Sequence, residues 1–145
     1  MTQSDPIDDI DEPVLTTEQV QRRVRDWLDR LEALFGGIKV WAAENGWTVN
    51  ESMLPMLEET MRQYGVAAAV QPSLALASPN GSTVLVKPKA LWVIGANGRV
   101  DIYSSRGTYV LVDVAEQFEP AQWRLHRLAR WSGRPFNPTQ LAEMV

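Results

Sequence analysis

Two Asn-Gly pairs, Asn80-Gly81 and Asn97-Gly98, each sit between segments in which apolar and polar residues alternate. Both central residues of a type I′ turn need positive φ, which Asn and Gly adopt at little cost. This pairing is therefore the strongest short signal for a β-hairpin. SLALAS and STVLV flank the first turn, centred on Pro79-Asn80-Gly81, and LWVI and RVDIYS flank the second. TYVLVDV follows Ser105-Arg106-Gly107. The spacing predicts a four- or five-stranded antiparallel meander from about residue 73.

A two-residue loop at Asn97-Gly98 would also fix a register. Ala96 would oppose Arg99, Val93 would oppose Ile102, and Trp92 would oppose Tyr103. One face would then carry Val93, Gly95, Val100 and Ile102 and belong to the core. The other would carry Trp92, Ile94, Arg99, Asp101 and Tyr103, a mixed and aromatic face.

Before the meander the period is helical. Val20, Val24, Trp27, Leu31, Leu34, Ile38 and Trp41 step by four and three, with Leu28 and Phe35 widening the stripe. Thr16 and Gln19 form a capping box, Leu15 and Val20 fall at the staple positions, and Asn45-Gly46 is a natural C-terminus. Arg22, Arg23, Asp26, Asp29 and Arg30 are expected on the opposite, solvated face. Gly36-Gly37 predicts a kink, a break or a close contact. A second helix is expected from Ser52 to Gly65, with Pro55 in its first turn and Leu54, Leu57, Met61 and Tyr64 buried. The two would form a helical hairpin. Beyond the meander, Pro120 predicts a helix over AQWRLHRLARW that stops at Ser132-Gly133. A short last helix is expected from Asn137, with Pro138 at its first position.

The expected fold is thus α+β: an N-terminal helical hairpin, the antiparallel meander and C-terminal helices, making one domain over 14–145. Residues 1–13 carry Asp5, Asp8, Asp9, Asp11 and Glu12 and too little apolar surface to offset ordering entropy, so a disordered acidic tail is expected there. Residues 1–60 hold 13 acidic and 5 basic side chains, and residues 61–145 hold 5 and 9. An acidic front and a basic back imply internal pairing or a charged partner. The chain has no cysteine, no secretory-type N-terminal segment and no apolar run long enough to span a bilayer. Those features predict a cytoplasmic protein with no membrane contact and no disulfide.

Motifs for chemistry are absent. His126 is the one histidine, and no nucleophile elbow accompanies Ser104 or Ser105. No phosphate loop is present, and Gly95-Ala96-Asn97-Gly98 reads as a turn. Without Cys, only carboxylates could bind a metal; the acidic tail lacks the Gly and the terminal Glu of a calcium loop. No catalytic residue, metal or cofactor is therefore assigned. An enzyme using Asp101, Asp113 or His126 ranks third.

Two binding readings stand above it. Six tryptophans exceed what a core of this size obviously needs, and Trp and Arg are enriched at interface hot spots. The preferred reading is a non-enzymatic accessory protein (subunit, adaptor or inhibitor) that binds another protein or its own copy. Its partner surface would be Trp92, Arg99, Asp101, Tyr103, Trp123, Arg127, Arg130 and Trp131. The alternative is a nucleic-acid-binding component, because Trp123, Arg127, Arg130 and Arg134 would share one face of the expected third helix.

Overall fold

The computed structural model describes residues 15–128 and 130–145, without the side chains of residues 130–132. The acidic segment 1–13 lies outside the described residues. One long helix, α1 (Thr17–Glu44), is followed by β1 (Thr48–Met56), a short helix α2 (Glu59–Gln63), β2 (Ala69–Ala77) and β3 (Thr83–Ala90). Then come β4 (Arg99–Ser104), β5 (Gly107–Asp113), β6 (Trp123–Arg127), β7 (Arg130–Pro135) and a terminal 3-10 helix, Pro138–Met144. The seven strands form one sheet whose order follows the sequence, and every neighbouring pair is antiparallel. The fold is mixed α and β around an antiparallel sheet, but the described residues form seven strands, no helical hairpin and no C-terminal α-helix.

The start of α1 follows the sequence closely. Thr16 accepts from the Gln19 backbone N–H, and the Gln19 side chain accepts from the Thr16 N–H. Asn45 caps the other end, and Gly46 follows at φ 74°. At 1.5 Å per residue, α1 is about 42 Å long. Its buried stripe, Val20, Val24, Trp27, Leu31, Leu34, Phe35, Ile38 and Ala42, lies on one face of the sheet. Leu74, Leu76, Val84, Val86, Val100, Ile102, Leu111 and Leu125 rise from the strands to meet it. Gly36-Gly37 does not break the helix, and a Cβ on either would meet nothing within 4 Å. Phe35 and Ile38 on either side are anchored in the core, which offsets the poor helix propensity of the pair.

Ser52 lies in a strand, not at a helix start, and α2 spans only Glu59–Gln63. The cause is Pro55. It disfavours helical geometry at Leu54, and its missing N–H is harmless on an edge strand, which β1 is. The first Asn-Gly pair makes its hairpin, with Ser78 and Ser82 bonded across the loop and Gly81 at φ 89°. The second does not. Asn97 and Gly98 exchange backbone hydrogen bonds with Asp113, and the β3–β4 connection turns earlier, at Ile94-Gly95 inside a Val93–Ala96 bridge. The LWVI segment is therefore not a strand, and Tyr103 opposes Leu85 rather than Trp92. The reason is Trp27. Gly98 has φ 139°, and a Cβ there would come within 2.1 Å of the Trp27 ring.

The expected third helix is instead the β6–β7 hairpin. Trp123 and Leu125 alternate with Arg124 and His126, so the same residues also carry a period of two. Pairing with the otherwise open edge of β5 selects it. The last helix starts at Asn137 with a full capping box, as expected, and is 3-10 rather than α. Among the described residues, no helix is long and apolar enough to cross a membrane.

Candidate functional site

Alternation along the strands sends every second side chain away from α1. Three cross-strand rows result. Ala75, Leu85, Tyr103 and Thr108 form the first. Lys87, Asp101, Val110 and His126 form the second, and Arg99, Val112 and Arg124 the third. Both α1 and the 3-10 helix pack on the other face, through residues such as Leu141 and Met144. Among the described residues, no helix covers these rows.

The middle of this outer face is nonetheless organised. Val110 is 0% exposed and Asp101 is 4% exposed. Arg99 donates from Nε to Asp101 at 2.7 Å, and the Tyr103 hydroxyl donates to the same carboxylate at 3.3 Å. Burial and the Asp101 charge together push the Tyr103 hydroxyl above the usual tyrosine pKa. The His126 ring lies against Gly133, where a Cβ would fall 2.3 Å from it. Leu85 and Tyr103 stay 40% and 39% exposed beside this charged centre.

A second feature lies between the start of α1 and two loops, 91–98 and 114–122. A pocket of about 300 Å³ is lined by Leu15, Val20, Arg22, Arg23, Trp92 and Phe118, with Gln19 and Gln117 at its sides. The Arg22 guanidinium lies over the Phe118 ring, 3.8 Å from its centroid. Phe118 has φ 64°, unusual outside glycine. Arg23 donates from Nη1 to Asn97 at 3.2 Å, whereas its Nε is buried and donates to nothing among the described residues. Burial pulls the Arg23 pKa below its ordinary value, against the attraction of Asp26.

Beneath the pocket the loops are fixed by charge. Arg30 donates to Asp26 and Asp113 and to the Glu119 carbonyl. Asp113 also accepts from the backbone N–H groups of Ala115 and Gln122. Burial works against the Arg30 charge, but the two carboxylates hold its pKa above the ordinary value. Arg30 is therefore not on a solvated face. Asn97 completes the network by donating to the Ala115 carbonyl.

Of the residues singled out in the sequence, Arg99, Asp101 and Tyr103 come together on the outer face. Trp92 lies apart from them, in the loop against the core and the pocket. Trp123 packs on Trp27, ring centroids 6.1 Å apart, on the α1 side. Arg127 projects to that side too and reaches the Arg106 carbonyl, with Tyr109 beside it. Trp123, Arg127, Arg130 and Arg134 do not share a helical face, because their segment is a hairpin. The side chains of Arg130 and Trp131 lie outside the described residues. Asp101 and Asp113 project to opposite faces of the sheet and form no carboxylate pair. No group of metal-ligating side chains occurs among the described residues.

No motif in the sequence marks Arg22, Arg23, Asn97 and Phe118 as site residues. Asn97 reads as a turn residue, and the Phe118 backbone has no sequence signature. The chain matches no protein-family model, no curated protein and no solved structure.

Proposed function

We propose that this chain is a non-enzymatic accessory domain, a subunit, adaptor or inhibitor in the cytoplasm, that binds another protein through the face of its sheet opposite α1. The observation that carries the reading is the directly opposed pair Leu85 and Tyr103, half-exposed in mid-sheet beside a buried Asp101 held by Arg99. An aromatic and an aliphatic side chain beside a fixed charge pair combine apolar area with orientation, and Tyr and Arg are enriched at interface hot spots. Arg99, Asp101 and Tyr103 are its proposed contacts, with Lys87 and Arg124 towards the rim.

No comparable observation favours nucleic acid. The Trp/Arg helical face has no counterpart, and Arg124 and Arg127 project from opposite faces of β6.

Photo-crosslinking from position 85 or 103 in the native host tests the reading. A discrete adduct from either position, absent when the crosslinker replaces Arg62 on α2, supports it. Sedimentation of the purified chain separates a different partner from a second copy. No adduct from 85 or 103 and a monodisperse monomer together would overturn it.

A further inference from the structure

The pocket at the start of α1 is independent of the outer sheet face, and its chemistry is specific. We infer that it is a binding site for a compact apolar carboxylate, an aromatic or branched acid whose carboxylate engages Arg23. Three observations converge on that class.

The first is the state of Arg23. Asn97 takes its Nη1, and Asn97 is itself 5% exposed and tied to Ala115 and Asp113. The guanidinium is thus oriented from one side. Its Nε and Nη2 donors lie along the other edge, the parallel pair that matches the two oxygens of a carboxylate. Among the described residues the Nε has no acceptor, although it is buried. The Nε is closed to water, so Nη2, its neighbour on the same edge, is the donor that an arriving oxygen meets first.

The second is charge. Arg22 and Arg23 both line the pocket, and no aspartate or glutamate does so among the described residues. Among the described residues, the charged side chains of the wall are these two cations, which suit an anion.

The third is shape. Leu15, Val20, Trp92 and Phe118 supply apolar and aromatic walls, and about 300 Å³ suits a small acid rather than a nucleotide. Phe118 holds a left-handed backbone while its ring carries Arg22. Strain of this kind persists only where the surroundings impose it, and it gathers at ligand clamps. Arg30, bonded to the Glu119 carbonyl, supplies the constraint.

Such a carboxylate could be a free metabolite-sized acid or the C-terminus of a peptide with an apolar last residue. The test uses the full chain, labelled with nitrogen-15, and four probes: phenylacetate, N-acetylphenylalanine and the amide of each. Saturable shifts of the Arg23 Nε–H and the Trp92 indole N–H with the acids, at least about tenfold weaker with the amides, are expected. Preference for phenylacetate identifies a free acid, and preference for N-acetylphenylalanine identifies a peptide terminus. Arg23→Gln should weaken acid binding at least about tenfold, while Ile94→Ser, on the exposed turn, leaves it unchanged. The acid-against-amide comparison decides the matter on the unmodified chain, whatever Arg23→Gln does to folding. Equal response to acid and amide, shifts confined to other residues, or no saturable shift at millimolar probe would overturn the assignment.

Discussion

Arg30 and Asp113 meet at 2.5 Å with both side chains withdrawn from water, joining the middle of α1 to the end of β5 across 83 residues of sequence. Desolvating such a pair is expensive, but every strong partner is in place: Asp26 and the Glu119 carbonyl for Arg30, two backbone N–H groups for Asp113. Removing one partner strands the other. Arg30→Met is expected to destabilise the chain by about 3–5 kcal/mol. Arg30→Met with Asp113→Asn should cost clearly less than the two single changes added together, since no buried charge is then left unpaired. Urea unfolding of the four proteins measures this. Additive losses would mean that the pair contributes no coupling.

The glycines divide by what surrounds them. Gly98 faces the Trp27 ring at a distance no Cβ can occupy, with φ 139°. Gly98→Ala must therefore displace a fully buried tryptophan and strain the backbone as well, and a loss of about 3 kcal/mol or more is expected. Gly36 and Gly37 sit in α1 with open space where a Cβ would go. Each Gly→Ala change there should stabilise by roughly 0.5–1 kcal/mol. Thermal unfolding distinguishes the two classes by sign. A destabilising Gly37→Ala would mean that the space beside Gly37 is not open in solution.

Gly133 makes a pairwise case. Its added Cβ would strike the His126 imidazole, a side chain rather than backbone. Gly133→Ala is expected to cost about 1–3 kcal/mol in the native chain and much less in a His126→Ala background. Denaturant unfolding of this cycle reads the coupling directly. Equal costs in both backgrounds would place the clash elsewhere.

Much of this architecture is legible locally, and the remainder is not, for a physical reason. Thr16 and Gln19 specify the start of α1 by themselves, as Asn137 and Gln140 specify the last helix, because capping bonds are made within four residues. The hairpin around Asn80-Gly81 is local in the same way. The β1 and β6–β7 segments are not. WRLHR fits a strand through Trp123 and Leu125, while Leu125, Leu128 and Ala129 fit a helix in the same stretch. Pairing with β5, formed between residues distant in sequence, decides between them. Asn97-Gly98 shows the converse. A strong turn signal is overridden because Gly98 is needed under Trp27 and Asn97 is needed beside Arg23. The outer-face trio Arg99, Asp101 and Tyr103 survives the change of register, since positions 99, 101 and 103 share a strand face whatever opposes them. The pocket was hidden because Arg22 and Phe118 meet only through the fold.

Tyr103 reports on that trio in solution. Burial and then the Asp101 carboxylate raise its pKa, and Arg99 pulls weakly the other way. Spectroscopic titration should find one tyrosine ionising above the usual value of about 10. Asp101→Asn removes the negative charge and should lower that pKa, whereas Arg99→Gln should raise it further. Linkage fixes the sign for stability. The folded state holds the Tyr103 proton more tightly than the unfolded chain, so this contribution is complete below the unfolded pKa. It is lost as the pH rises through the folded one. Tyr103→Phe, which retains the ring and has no proton to lose, should therefore weaken the loss of stability at alkaline pH. If the part of the titration curve that Tyr103→Phe removes is centred at the usual value of about 10, the hydroxyl is not where the Asp101 carboxylate can act on it.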